Sequence, residues 1–143
     1  MSTNPNINLG SAAWEVQKAV IQKLLSTVEL TSMAGVFDYV PDNTPYPLVA
    51  FGEMTEDDKF NTMQARGRQL YYTLHVWSRK PGFSEVHRIA NFVVGALENT
   101  DLGAMGVWNW VLTQYIQAHT VHDPDGITQH GILRFRTCVS QAS

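Results

Sequence analysis

The chain has little charge and only a slight acidic balance. Of its 143 residues, 16% are Asp, Glu, Lys or Arg, and the formal net charge is −3, whereas soluble domains average about 25% charged residues. A weakly charged surface leaves more area for contacts with other subunits. Proteins that bind nucleic acid through its phosphates usually have a basic excess, so the composition argues against that class.

The chain also has few cysteines and no long apolar run. Its only cysteine, Cys138, allows no intramolecular disulfide, and its position in a predicted strand favours a buried thiol. No apolar run approaches the roughly 18 residues that a membrane span needs. The segment Met1–Leu9 is polar and does not resemble a signal peptide. We therefore expect a protein that is cytosolic in the cell that makes it, with no membrane partner.

Local sequences typical of enzymes do not occur in the chain. It contains no G-x-S-x-G nucleophile turn, no phosphate-binding P-loop and no G-x-G-x-x-G dinucleotide motif. The sequence therefore predicts neither an enzyme activity nor a cofactor.

The hydrophobic pattern predicts one α+β domain over residues 11–143, preceded by a flexible arm, Met1–Gly10. Two amphipathic helices are expected, one from Ser11 to about Leu25 and one over Glu85–Leu97, with Ser11 and Ser84 as candidate caps. Short connections between strands favour a mainly antiparallel sheet with both helices on one face. The predicted strands are Val36–Val40, Leu48–Glu53, Arg68–Ser78 and the two strands of a closing hairpin.

The closing hairpin joins Trp108–Val121 to Ile127–Val139. Its turn contains Asp123, Pro124, Asp125 and Gly126. Proline presets the φ angle of a turn corner and glycine supplies a positive φ, so these residues predict a turn without any ligand.

Histidines and carboxylates near this turn allow a second interpretation, a metal site. His119, His122 and His130 lie close in sequence to Asp123 and Asp125, and imidazole and carboxylate groups are common metal ligands. However, residues three apart on a strand point to opposite faces. A polar turn is therefore the favoured interpretation, and no metal is predicted.

The segment Met54–Gly67 is predicted to be a long loop or the mobile tip of a hairpin. It contains the charged residues Glu56, Asp57, Asp58, Lys59 and Arg66. Solvated charge is the ordinary interpretation. A surface facing a partner or a DNA channel is the alternative. Acid–base catalysis would need two carboxylates at a fixed separation in a shielded cleft.

Arginines and aromatic residues alternate in two predicted strands, as in sheets that stack nucleic-acid bases. The same alternation is typical of a half-buried strand with one solvated or subunit-facing side, which is the favoured interpretation. The residues concerned are Arg66, Arg68, Arg134, Arg136, Tyr71, Tyr72, Trp77 and Phe135.

Five phrases in order resemble the tail-completion, or tail-to-head joining, family of long-tailed bacteriophages and gene-transfer particles. They are W-E-V-Q-K-A-V (Trp14–Val20), V-F-D-Y-V-P (Val36–Pro41), P-Y-P-L-V-A-F-G-E (Pro45–Glu53), L-H-V-W-S-R (Leu74–Arg79) and V-H-D-P-D-G-x-T-x-H-G-x-L-R-F-R (Val121–Arg136). The resemblance covers about Ala12 to Val139. The residues in these phrases are mostly strand, turn and core positions.

This resemblance implies a structural virion protein with the tail-terminator fold, an antiparallel sheet packed with helices. It implies a hexameric ring at the head-proximal end of the tail tube. The ring would contact the tail tube protein and the head–tail connector, and DNA would pass through its lumen without specific binding. The charged segment from Glu56 to Arg66 would face a neighbouring subunit, the tube or the lumen. No enzyme activity, metal or cofactor is implied.

Overall fold

The computed structural model describes Leu9–Ala142 and consists of one six-stranded sheet with three helices. Most of the predicted arm, residues 1–8, lies outside the described residues, whereas Leu9 packs against the core. None of the described helices is long and apolar enough to cross a membrane. The elements in chain order are α1 (Ala13–Leu25), α2 (Val28–Thr31), β1 (Gly35–Phe37), β2 (Leu48–Asp57), β3 (Gly67–Ser78), α3 (Ser84–Leu97), β4 (Ala104–Met105), β5 (Trp108–His122) and β6 (Gln129–Gln141).

The strand order in the sheet is β1-β2-β3-β6-β5-β4. The expectation of a mainly antiparallel sheet is confirmed, because β2, β3, β6, β5 and β4 all pair in that way. The first pair is different. β1 runs parallel to β2, with Gly35 opposite Leu48, because the proline-rich connection of residues 38–47 returns the chain to the starting end of β1. The sheet is therefore mixed.

Strand β3 shows why the sheet has two distinct faces. Leu70, Tyr72, Leu74 and Val76 are buried, and the residues between them are half-buried. This alternation gives the central strand two usable faces. The buried side packs against α1 and α3, and we call it the covered face. The core there also includes Val16, Val20, Leu24, Ile89, Val93, Leu97, Leu133, Phe135 and Val139.

The helices form where the sequence predicts them, but their predicted serine caps are wrong. In α3, Ser84 lies inside the helix, and the residue before it, Phe83, makes no side-chain cap. At α1, the Ser11 hydroxyl accepts a hydrogen bond from Ala13 N at 3.0 Å, while Glu56 of β2 accepts one from Ala12 N at 2.7 Å. A carboxylate from a neighbouring strand thus satisfies part of the helix start, where backbone N–H groups lack partners.

The second strand is longer than predicted and contains a bulge. β2 continues to Asp57, so the loop expected from Met54 begins only after Asp57 and ends before Gly67. The pairing of β2 with β3 shifts between Phe51 and Met54, and a glycine within a strand, here Gly52, is typical of such a bulge. A Cβ atom at Gly52 would overlap the His75 ring and the Thr73 hydroxyl. The glycine therefore allows both side chains to reach the bulge.

Candidate functional site

The sheet leaves one side free of α1 and α3, and we call this side the open face. It is formed by alternate residues of β2, β3, β6 and β5, whose register aligns them in rows: His75 lies opposite Ile132, which lies opposite His119. Most of these side chains are half-buried or exposed. The central members are Tyr71, Thr73, His75, Trp77, His130, Ile132, Arg134, Arg136, Gln114, Gln117 and His119.

Four titratable side chains on this face form a continuous row, which we call the histidine chain: Glu53, His75, His130 and Asp123. His75 Nδ1 lies 2.7 Å from His130 Nε2. The other ring nitrogen of His75 lies 3.5 Å from Glu53 Oε2, and His130 Nδ1 lies 3.6 Å from Asp123 Oδ1. A contact of 2.7 Å between two imidazole nitrogens needs one donor and one acceptor, so the pair cannot carry two full positive charges in this geometry.

The surroundings of the histidine chain hold its rings in place. Trp77 stacks on both imidazoles, with centroid distances of 5.3 Å to His75 and 4.7 Å to His130. Thr73 Oγ1 donates to Glu53 Oε2 at 2.8 Å. Burial lowers the pKa of His130, and the neighbouring His75 lowers it further, while Asp123 and Glu53 act in the opposite direction. His130 is therefore neutral at physiological pH.

The three histidines predicted to lie near one another are separated. His130 contacts His75, a residue that sequence reasoning did not connect with it. His122 packs on Phe83 at 4.7 Å between ring centroids, and His119 is exposed on the open face. The expected opposite orientation of His119 and His122 is confirmed. Within Leu9–Ala142, no three His, Cys, Asp or Glu side chains are grouped to hold a metal ion.

The closing turn folds as its residues predict. Gly126 has a φ of 76° and its N–H donates to the Asp123 carbonyl at 3.0 Å. The Asp125 carboxylate accepts from the Thr128 hydroxyl at 2.6 Å and from the N–H groups of Ile127 and Thr128, both at 2.9 Å. These hydrogen bonds lower the pKa of Asp125. Its side chain is thus occupied in holding the turn.

Arg79 joins this turn to the proline-rich segment at the same end of the sheet. Its guanidinium lies over the Tyr46 ring at 4.3 Å, and its Nε donates to Thr128 Oγ1 at 3.3 Å. Three separate connections of the chain therefore meet at one end of the sheet.

The charged segment divides into residues that are used within the chain and residues that are exposed. Glu56 holds the start of α1, and Asp57 accepts from Gln69 Nε2 at 3.2 Å and from Lys59 N at 3.0 Å. Arg66 is half-buried, whereas Asp58 and Lys59 are exposed. Among these charged residues, Asp58 and Lys59 are the exposed ones.

The predicted mixture of arginines and aromatic rings does not form one platform. Tyr72 and Phe135 are buried on the covered face, where they stack at 5.9 Å. Arg134 lies over Tyr71 at 5.1 Å on the open face, whereas Arg68 lies over Trp108 at 4.9 Å. The alternative interpretation, one nucleic-acid-binding surface made of all these residues, is therefore wrong.

Cys138 is buried, as predicted. Burial raises the pKa of its thiol, which keeps it in the unreactive protonated form.

The chain matches the tail completion protein gp17 family over residues 18–140. It belongs to this family. It is 28% identical over 130 residues to the tail completion protein gp17 of Bacillus phage SPP1, covering 90% of this chain and 95% of that protein. Its fold matches a chain in the virion of a native gene transfer agent particle with a TM-score of 0.82 and 22% identity, covering 91% of this chain and 98% of that one.

These findings confirm the family resemblance and the fold class expected from the sequence. Membership identifies a structural protein of the bacteriophage tail, located in the virion. The features on which the resemblance depended, the closing turn and the alternating strands, are fold positions rather than a catalytic arrangement.

Proposed function

We propose that this protein forms a ring at the head-proximal end of the tail tube and joins the tube to the head–tail connector. Its family membership over residues 18–140 is the observation that carries the proposal. The ring is hexameric, as the family resemblance implies, and its role is structural, without an enzyme activity.

The open face and the two ends of the sheet provide the contact surfaces that a ring subunit requires. One end carries the loop with Asp58 and Lys59, and the opposite end carries the junction of Tyr46, Arg79 and Thr128. A ring between tube and connector must make contacts in both axial directions as well as with its neighbours. The subunit offers separate surfaces for each of these contacts.

The lumen of such a ring transmits DNA without specific binding. The formal charge of −3 and the exposed Asp58 limit attraction to phosphates.

The deciding experiment combines purified protein with tail tubes made in its absence. We expect a particle several times the subunit mass at one end of each tube, and restored joining of tubes to heads. Mass measurement and electron microscopy detect the two results. A protein that stays monomeric and never joins tubes would contradict the proposal.

Charge reversal tests the loop that carries Asp58. Asp58→Lys should reduce head–tail joining if this loop contacts the tube, a neighbour or the lumen. Glu29→Lys is the matched control, because Glu29 is an exposed acidic residue of α2, outside the loop and the junction at the two ends of the sheet. Equal joining by both variants and the unchanged protein would exclude the loop from these contacts.

A further inference from the structure

The outer edge of β5 is uncovered over most of its length. β4 pairs only with Trp108 and Asn109 at its start, and Asn99 N donates to the Thr113 carbonyl at 3.0 Å. From Gln114 to His122, no strand of Leu9–Ala142 pairs with that edge. After a bulge at Ile116, the stretch Gln117–His122 runs in regular register with β6.

Beyond its two bulges, between Trp110 and Leu112 and between Tyr115 and Gln117, this edge lacks the protection that exposed strands normally have. The 15 residues of β5 include no Asp, Glu, Lys, Arg or Pro. Two apolar side chains on the strand, Val111 and Ile116, are 38% and 39% exposed. Monomeric proteins blunt free edges with charges, prolines or covering segments, because unpaired backbone groups attract another strand. An unprotected edge of this length indicates a place where a strand is added.

The opposite side of the sheet has a free edge of different chemistry. β1 covers β2 only from Leu48 to Ala50, so beyond Ala50 the outer edge of β2 is also unpaired within the described chain. The unpaired stretch of β2 carries Glu53, Glu56 and Asp57. Glu53 and Asp57 lie on the open face, beside His75 and Gln69 respectively. The β2 edge is thus acidic where the β5 edge is uncharged.

Strand direction and charge make the two edges complementary. β2 and β5 run in opposite directions, because three antiparallel pairings separate them. A β2 strand placed beside β5 by a ring rotation would continue the antiparallel alternation. Its acidic residues would lie about 10 Å, two strand spacings, from Arg134 and Arg136 on β6. That separation slightly exceeds the screening length of about 8 Å at physiological salt, so the attraction is weak, and the uncharged β5 edge places no like charge beside the acidic residues.

We propose that the free edge of β5 takes up the outer edge of β2 from a second copy of this chain, so that one sheet continues from subunit to subunit. This contact is heterologous and repeats head to tail, which is the geometry that closes a ring. The inference rests on the ring of the proposed function and specifies the surface that builds it.

Cross-linking tests which edges meet. Thr55 lies on the open face of β2 and Gln117 on that of β5. With both changed to cysteine, assembled protein treated with a short bismaleimide should give a ladder of covalent multimers. Gln117→Cys alone should give none, because β5 does not meet β5. Dimers from Gln117→Cys alone, or assembled rings without a ladder from the double variant, would overturn the proposal.

Charge variants provide a second measurement that does not depend on cross-linking. Gln117→Glu places an isosteric carboxylate opposite Arg134 within the subunit but beside Glu53 or Asp57 of the neighbour. It should weaken assembly about tenfold, equivalent to ~1.4 kcal/mol, without lowering the stability of the monomer. Gln117→Lys should do the reverse, with a slightly less stable monomer and retained assembly.

Asn109→Asp is the matched control, because Asn109 is an exposed residue of β5 at the stretch already paired with β4. It should assemble normally. Loss of assembly in Gln117→Lys equal to that in Gln117→Glu would overturn the acidic-neighbour assignment. If the unchanged protein forms no ring even on tail tubes, the proposed function itself fails. Rings that tolerate Gln117→Glu contradict only the edge contact.

Discussion

Both faces of the sheet carry a row of hydrogen-bonded side chains that crosses the strands, but the two rows differ in chemistry. On the covered face, Trp110 Nε1 donates to Thr113 at 2.8 Å, Thr113 and Thr137 hydroxyls lie 3.0 Å apart, and Tyr72 and Thr137 hydroxyls lie 2.8 Å apart. We call this the hydroxyl chain. On the open face, the histidine chain joins two imidazoles to two carboxylates.

The difference shows how the sheet separates folding from interaction. The hydroxyl chain contains groups that stay neutral near physiological pH, and burial raises the pKa of Tyr72 further. Buried neutral groups that satisfy one another are compatible with an apolar core. The histidine chain contains carboxylates and imidazoles, which are ionisable groups, and a solvent-accessible or subunit-facing surface tolerates such groups. The covered face therefore sets stability, and the open face is available for contacts.

The largest expected effect comes from truncating the covered face. Phe135 is completely buried and stacks with Tyr72 and Tyr115. Phe135→Ala should lower the free energy of unfolding by about 3–5 kcal/mol through lost burial and a cavity. Ile132→Ala, on the open face of the same strand, is the control and should cost much less, because solvent already reaches Ile132. Urea unfolding measures both variants. Equal losses in the free energy of unfolding would show that the two faces contribute equally to stability.

A smaller effect is expected from interrupting the hydroxyl chain. Thr137→Val keeps the side-chain volume but removes the partner of the Tyr72 hydroxyl, which should cost about 1–3 kcal/mol for a buried unsatisfied group. Adding Tyr72→Phe removes that unsatisfied hydroxyl, so the double variant should be more stable than the sum of the two single losses predicts. Simple additivity in urea unfolding would show that the hydroxyls act independently.

The two rows also mark what the sequence could and could not predict. Alternation in β3 and β6 predicts both faces, because side-chain direction in a strand is fixed locally. The closing turn follows from the positive φ of Gly126 and from the hydrogen bonds of Asp125, and the bulge follows from the close approach that the missing side chain of Gly52 allows. In contrast, His75 and His130 are 55 residues apart, and Glu56 and Ala12 are 44 apart. Such pairs depend on register and strand order, which local patterns do not specify.

Two further misses have the same origin. Strand β1 pairs in parallel because a loop of residues 38–47 reverses the chain, and the pattern in Val36–Val40 contains no information on pairing direction. The charged segment was predicted to be a loop or a hairpin tip because Met54–Gly67 has no clear hydrophobic period. Glu56 and Asp57 each find a partner from another element, and the pairing keeps both residues in β2. Tertiary contacts therefore override local preference at these positions.

The smallest expected effect concerns the pH dependence of the open face. The folded protein lowers the pKa of His130 below its ordinary value of 6.5 through burial and the nearby His75. Above pH 6.5 the residue is neutral in both states and adds no pH dependence. Below it, the unfolded chain takes up the proton first, so stability falls until the lower folded pKa is passed and then levels off. His130→Gln should remove this part of the loss.

The control is His119→Gln, which changes an exposed histidine on the same face. Urea unfolding at one pH well above 6.5 and two below it should give a steeper fall for the unchanged protein and His119→Gln than for His130→Gln. The Thr137→Val variant should keep the steep fall, because the hydroxyl chain does not titrate in this range. A parallel fall in all four proteins would mean that the histidine chain is not the source of the pH dependence, and that the two rows do not differ in the way proposed.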